Sequence, residues 1–527
     1  MRRTIAMLLA TLLLLSCAAV AEDYGFNETG YPIVDEEITV TCLFPRMPDQ
    51  PTDFSDMWFV KKCRDELGIN IEYQLVEKSA FDERKALVLA SDDYPDVFFG
   101  GITAEDEQLY GGQGIFIDLS GLIDRYAPNF KALMEQYPEI ETAIRAENGA
   151  IYSMPVIYTA ARDGITAASW MNMQWIENVG METPATLDDL YDLLVAFRDQ
   201  DANGNGDPTD EIPVSYPADS LDFQRSILAA LGIVDAVDDV LNGQYVYVPM
   251  TEQYKEYLKY MKKLYTEDLL DKDVFILSAE EYGAKLKNNL VGIGNETTPY
   301  SYGVEDYEVY GRIPVLTSDI NTEPIWPGNQ YVYRSTGNFV ITDKCEYPEA
   351  MVRLVDYFFT TEGSLMVRSG PEQGTWDGEG GWKVIKDEEG NELYTEITYD
   401  KEKYTSYWGL RAWNAPMSMP YNSSDYMGFI MLAGDARSAF AWETLTSSRP
   451  LDILKINYPL VVFTQEEQDT LNITVDLQNY VDSMEVKFIT GEADIDAAWD
   501  EYVATLQKMG VDDVIAVKQA AYERVIG

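Results

Sequence analysis

The chain has 527 residues, of which 90 are Asp or Glu, 39 are Lys or Arg, and none is histidine. A net charge of −51 repels nucleic-acid phosphates and anionic lipid, so neither is an expected partner. The missing imidazole excludes a Ser-His-Asp triad, a Cys-His pair and a His-ligated zinc site, and the length suits two lobes better than one core.

Arg2 and Arg3, the apolar run Ile5 to Leu15 and the small residues after it read as an export signal, too short to span a bilayer. Two processing readings stand. Ala19-Val20-Ala21 fits signal peptidase, making 1–21 a signal peptide, whereas Leu14-Leu15-Ser16-Cys17 resembles a lipobox that would anchor the chain at Cys17. Either way the expected location is extracellular, periplasmic or on the cell surface, with the lipid anchor as the sole membrane attachment. Cysteines at 17, 42, 63 and 345 make no disulfide framework for this length. Cys42 and Cys63 read as two buried thiols, with a bridge as the alternative.

Glu36 to Phe44 alternates with Ile38, Val40 and Cys42 on one face, which predicts a strand. Met57 to Leu67 spaces Phe59, Val60, Cys63 and Leu67 as a helix, and Gly68 supplies its stop. Ile69 to Tyr73 alternates again, so the unit reads βαβ with parallel strands. A helix over about 81–91 and the run Val97-Phe98-Phe99 extend it. Gly100-Gly101 ends that strand, where open parallel sheets place ligands. The chain changes character near 155–168, the expected first crossing between lobes. Thr186 with Asp189 predicts a capped helix whose apolar face is Leu187, Leu190, Leu194 and Phe197. The stretch 320–336 is irregular. A strand resumes at Asn338-Phe339-Val340-Ile341, and a helix from Pro348 carries Met351, Leu354, Val355 and Phe358. The 363–430 stretch shows weak periodicity, and Trp499, Tyr502, Leu506 and Met509 mark a closing helix ended by Gly510.

The segment from Asp199 to Glu211 alternates oxygen side chains with glycines, the pattern a Ca²⁺ ion needs for its six to eight hard oxygens. Asp201, Asn203 and Asn205 would offer side chains, Asp207 its carbonyl, and Asp210 or Glu211 the closing carboxylate. Ile212 at the twelfth position departs from the strict EF-hand, and a solvated turn is the alternative. Aromatic faces stack on sugar rings. The candidates beside polar partners are Trp170 with Asn172, Trp326, Trp376 near Glu372, and Trp413 with Asn414. Each ring has a core position as its alternative. No phosphate-binding glycine loop appears, and no carboxylate pair for glycoside hydrolysis stands out among 90 acids, so no catalytic residue is assigned.

Several blocks resemble the large family-1 extracellular solute-binding proteins, the carbohydrate branch of ABC importer receptors. They are Tyr94-Pro95-Asp96-Val97-Phe98-Phe99-Gly100, the stretch Leu122 to Asn129, Ile151 to Pro155, Trp170 to Gly180, and the helix ending at Gly510. The calcium loop is similar to that of alginate-oligosaccharide receptors, with one extra residue around Pro208-Thr209. Gly370 to Trp376 looks like a cleft segment of the same family, with Gln373 displaced. The resemblance implies an α/β, two-lobed, periplasmic-binding-protein-like clamp, each lobe a mostly parallel sheet flanked by helices, joined by several hinge crossings. The expected lobes are 36–155 with about 330–400, and 156–329 with about 401–527. It also implies capture of an oligosaccharide, docking on ABC importer permease subunits, a monomer, and no catalysis. Two alternatives remain: a receptor for a peptide or other cationic solute, suggested by the charge, and a secreted carboxylate-dependent glycosidase.

Overall fold

The computed structural model describes residues 24–526 apart from 49, 147, 160–168, 296–303, 328–332, 376–379, 387–389, 391, 396–401, 403–406, 417–420, 423–439, 441–443, 445–453, 456–457, 459–460 and 462. The chain opens with β1 (Ile38–Arg46), α1 (Trp58–Leu67), β2 (Ile69–Glu77), α2 (Phe81–Ala90) and β3 (Val97–Phe99). Helix α1 buries Phe59, Val60, Cys63 and Leu67, and Gly68 ends it at φ 79°, a left-handed turn that costs glycine little. That turn sends β2 back parallel to β1, from Ile38 opposite Ile69 to Arg46 opposite Glu77. Then come α3 (Ala104–Gly112), α4 (Ser120–Tyr126), α5 (Pro128–Gln136), α6 (Pro138–Ile144) and β4 (Ser153–Tyr158).

A second sheet then begins. Its stretch holds β5 (Trp170–Asn172), α7 (Met173–Val179), α8 (Leu187–Asp199), β6 (Ile212–Ser215), α9 (Asp222–Ala230) and a hairpin of β7 (Asp238–Leu241) and β8 (Gln244–Tyr247). It continues with α10 (Glu252–Thr266), α11 (Ala279–Lys287), β9 (Val291–Gly294), β10 (Tyr310–Arg312) and β11 (Trp326–Pro327). The chain returns through β12 (Tyr333–Ile341), α12 (Pro348–Phe358), α13 (Thr361–Ser369), β13 (Lys383–Lys386), β14 (Glu392–Thr395), α14 (Tyr407–Asn414) and β15 (Tyr421–Asn422). It finishes with β16 (Leu454–Lys455) and α15 (Gln465–Leu471), α16 (Thr474–Thr490), α17 (Ile495–Met509) and α18 (Val511–Ile526).

Among the described residues six strands form one sheet in the order β15-β4-β12-β3-β1-β2, and four form another, β10-β5-β9-β6. Both are mixed. In the first, β12 runs antiparallel to β3 and β4; in the second, β6 and β9 are parallel while β5 opposes β9 and β10. Among the described residues the first sheet keeps the mostly parallel character that the βαβ unit predicts, with three of its five pairings parallel, whereas in the second only β6 with β9 is parallel. Each sheet has its own core. Val40, Phe59, Phe99, Phe339 and Leu354 meet in the first, and Trp175, Phe197, Ile227, Ile293 and Trp499 in the second. The closing helices pack on the second core, Trp499, Tyr502 and Leu506 facing inward as their spacing predicts. Cys42 and Cys63 are buried free thiols whose pKa burial pushes upward, in line with the thiol reading. Among the described residues no helix is long and apolar enough to cross a membrane.

Candidate functional site

Strand β9 reads Val291-Gly292-Ile293-Gly294 and is buried throughout. Its glycines are dictated by neighbours: a Cβ at 292 would lie 2.7 Å from the Phe197 ring, and one at 294 only 2.2 Å from Tyr282 Oη. Strand β6 lies parallel beside it, Ser215 opposite Gly294. Beyond their carboxyl ends, where open α/β sheets bind ligands, a cavity of about 310 Å³ opens between Asn295 and the turn from Pro217 to Arg225.

Asn295 is 1% exposed. Its Oδ1 accepts from Ser169 Oγ at 2.6 Å, while its Nδ2 has no partner among the described residues. A buried amide donor left unpaired costs free energy, so this group is poised for a ligand or water. Asp222, also buried, accepts from Arg225 Nη1 at 2.8 Å. Burial pushes its carboxyl pKa upward, against the opposing pull of Arg225 and Arg312. Asp219 and Ser220 add polar groups and the exposed Leu221 an apolar one. Register links the rest: Arg312 lies opposite Trp170 and Trp170 opposite Gly294, and the Arg312 guanidinium sits 3.9 Å over the Trp170 ring. The wall therefore offers donors, acceptors and an apolar surface for reversible binding.

In the first sheet, Gly100 and Gly101 follow β3 at φ 86° and 77°, and a Cβ on Gly101 would strike the Phe81 ring at 2.2 Å. Lys85 holds this turn, donating to Gly101 O at 2.9 Å and pairing with Asp106 at 2.7 Å. At the end of β1, Arg46 pairs with Glu77 and donates to Gln50 O at 2.5 Å. Gln50 in turn donates to Pro416 O at 2.8 Å, tying this loop to the segment after α14.

The residues singled out from the sequence scatter. Trp170 is 2% exposed beneath Arg312. Asn172 caps α7, its Oδ1 accepting from Gln174 N at 3.1 Å, and its Nδ2 donates to Asn289 Oδ1 at 3.0 Å. Because β5 opposes β9, Asn172 falls at the other end of the sheet from Asn295. There it lines a second cavity of about 510 Å³ with Lys287, Asn289 and Tyr310. Trp326 is fully buried in the second core, Glu372 is half-buried in a bridge to Trp382, and Trp376 lies outside the described residues. Trp413 is 51% exposed on α14, and the neighbouring Asn414 is buried against Gly370. Asn295, Asp222, Arg225, Ser169 and Arg312 were not singled out. The signal that could have found Asn295 is its place directly after a buried strand with two glycines.

The acidic loop folds on itself. Gly206 N donates to Asp201 Oδ2 at 2.9 Å, and the Asn203 and Asn205 amides donate to Asp210 at 2.9 and 2.8 Å. Asp207 is taken up locally, its Oδ1 accepting from Thr209 Oγ1 at 2.6 Å. Asp201 Oδ1 and Glu211 Oε2 are buried without partners among the described residues, and burial, with the charges of Asp210 and Asp201, pushes Glu211 upward. Two orphaned carboxylate oxygens on one loop fit a hard cation, and turning the two Asn amides over would present oxygen instead of N–H. Among the described residues no group of three or more His, Cys, Asp or Glu side chains is placed to hold a metal.

No family model matches the chain. Over 96% of its length, and 94% of the relative's, it is 27% identical to the fructooligosaccharide ABC transporter substrate-binding protein FusA of Streptococcus pneumoniae. Over 55% of each chain it is 24% identical to the lipoprotein LipO of Bacillus subtilis. The solved structure of S. pneumoniae FusA with kestose matches at a TM-score of 0.75 and 24% identity, covering 93% of this chain and 99% of that one. An extracellular solute-binding protein of Bifidobacterium longum subsp. infantis matches at 0.77 and 21% over 92% and 98%, and alginate-binding AlgQ2 without calcium at 0.67 and 20% over 93% and 99%. The resemblance read from the sequence thus runs along nearly the whole chain. The fold is the two-lobed clamp of solute-binding proteins, and the full-length relative is a substrate-binding protein, not an enzyme.

Proposed function

We propose that this protein captures an oligosaccharide outside the cell for an ABC importer, closing two lobes around it and passing it unaltered to permease subunits. The observation that carries the reading is the second-sheet cavity, with the Asn295 amide, unpartnered among the described residues, on its wall. The full-length likeness to a fructooligosaccharide-binding receptor supports it. Asn295, Asp222 and Arg225 form the polar wall, with Trp170 held behind it by Arg312. The half-exposed Trp413, with Asn414 next to it, and Trp376 with Glu372 are the proposed stacking surfaces. Trp326 and Asn172 shape the second lobe. The lobes divide as the sheets do, and the protein acts as a monomer, either freed after residue 21 or anchored at Cys17.

The loop from Asp201 to Glu211 is proposed to hold Ca²⁺ as a structural ion, through Asp201, Asn203, Asn205, Glu211 and the Asp207 carbonyl, with Asp210 beside them. Support comes from the two orphaned carboxylate oxygens and from a FusA structure described as an EF-hand mutant.

The test is a thermal-shift screen of the purified secreted chain against oligosaccharides, with chromatography of the sugar afterwards. A ligand that binds only the folded state adds RT ln(1 + [L]/Kd), about 2.7 kcal/mol at a hundredfold excess over Kd. An unmoved melting curve across the panel, or cleaved sugar, contradicts the proposal. The net charge of −51 favours a second reading, a receptor for a cationic peptide, whose binding would collapse in high salt.

A further inference from the structure

We infer that the second-sheet wall selects uncharged oligosaccharides and rejects uronates. This rests on the oligosaccharide reading above and names the class of sugar it takes. A carboxylate is recognised where an arginine presents both N–H arms to it. Among the described residues the arginines beside these carboxyl ends are drawn to the protein's own groups, Arg225 and Arg312 both acting on Asp222. Arg225 pairs with Asp222 at 2.8 Å, Arg312 lies 3.9 Å over Trp170, and Arg46 pairs with Glu77 and donates to Gln50 O. Among the described residues the cavity wall carries two carboxylates, and the pull of both Arg225 and Arg312 falls on Asp222, leaving Asp219 without an arginine.

The polar groups suit hydroxyls instead. A hydroxyl donates and accepts at once, whereas an ionised carboxylate only accepts. The Asn295 Nδ2 donor is 1% exposed at residue level and unpartnered among the described residues, and Asp219 and Asp222 supply acceptors on the same wall. A vicinal diol satisfies donor and acceptors together. A uronate in its place pairs with the amide but sets its charge against Asp219, to which no described arginine is paired, and like charges at an interface suppress binding strongly.

The experiment titrates the full secreted chain with kestose, maltotriose and lacto-N-tetraose on one side and trigalacturonate and an alginate trisaccharide on the other, by thermal shift and calorimetry. The expected result is binding of at least one neutral sugar, with the acidic ones at least about tenfold weaker. Asp219→Asn, a change on the exposed turn, narrows that gap, and so does raising the salt. An acidic sugar that binds as tightly as the best neutral one overturns the inference and leaves the oligosaccharide reading standing. A gap that Asp219→Asn leaves unchanged also overturns it. If no sugar of either class moves the melting curve, the oligosaccharide reading fails, and this inference fails with it.

Discussion

Gly294→Ala is a single-methyl probe of how the second core positions the site. The added Cβ would lie 2.2 Å from Tyr282 Oη, 3.3 Å from Tyr282 Cζ and 3.5 Å from Leu286 Cδ2, against an ordinary carbon contact of about 3.5–4.0 Å. Tyr282 is fully buried, so the ring cannot swing into solvent, and β9 must move instead. Overpacking of this kind costs about 1–3 kcal/mol. The shift acts next on Asn295, which stands one residue on and is held by Ser169 at 2.6 Å. Urea denaturation should show a midpoint loss within that range, and calorimetry with the best sugar a weakened affinity. Tyr282→Phe deletes the clashing oxygen, so the double variant should recover at least about 1 kcal/mol relative to the sum of the singles. Gly292→Ala meets both Phe197 and Trp175 within 2.9 Å and has no such single-atom rescue. Additive effects of Gly294→Ala and Tyr282→Phe, or a Gly294→Ala variant as stable as the parent, would refute the packing argument.

Thr186→Ala removes the side chain that accepts from Asp189 N at the start of α8, and urea melts should show a loss of about 1 kcal/mol. Asp356 accepts from Phe130 N at 2.9 Å and Asn129 Nδ2 at 2.8 Å, and burial raises its carboxyl pKa to about 6. The unfolded chain titrates it near 3.9, so the folded state holds the proton more tightly, and this group's stabilising term fades as pH rises from about 4 to 6. Relative to Asp356→Asn, the parent should therefore lose up to about 3 kcal/mol across that window in pH-dependent denaturation. Trp326→Ala, in the second core, should cost about 3–5 kcal/mol, whereas Trp413→Ala, half exposed, should leave urea stability within about 0.5 kcal/mol and lower sugar affinity. If Ca²⁺ holds the loop, a chelator should lower the melting temperature of the parent, and Glu211→Gln should blunt that response.

Local chemistry was legible in the sequence wherever a few adjacent residues decide it. Gly68 and the buried face of α1, the box between Thr186 and Asp189, and the strand before Gly100 depend only on near neighbours, and the structure has each of them. The wall of the site was not legible, because Ser169, Asp222, Asn295 and Arg312 become neighbours only through the strand order β10-β5-β9-β6. Selecting tryptophans by residue type also misled in part. A large ring fills a core as readily as it stacks on sugar, and Trp326 has no exposed surface. Trp170 and Asn172 look like one motif, yet a three-residue strand antiparallel to β9 sends them to opposite ends of the sheet.

The two sheets also explain how a clamp can move without unfolding. Among the described residues the chain leaves the first sheet for the second between β4 and β5 and returns between β10 and β12, and after β15 it ends in helices packed on the second core. Among the described residues the two main cores are separate clusters, one on each sheet's side. A contact that does reach between residues of the two sides is polar and peripheral: Gln108 Nε2 donates to Phe463 O at 2.9 Å, from α3 to the segment before α15. A ligand that bridges two such walls shifts the balance towards a closed form by no more than its preference for that form, and its apparent affinity falls with the fraction of molecules already closed.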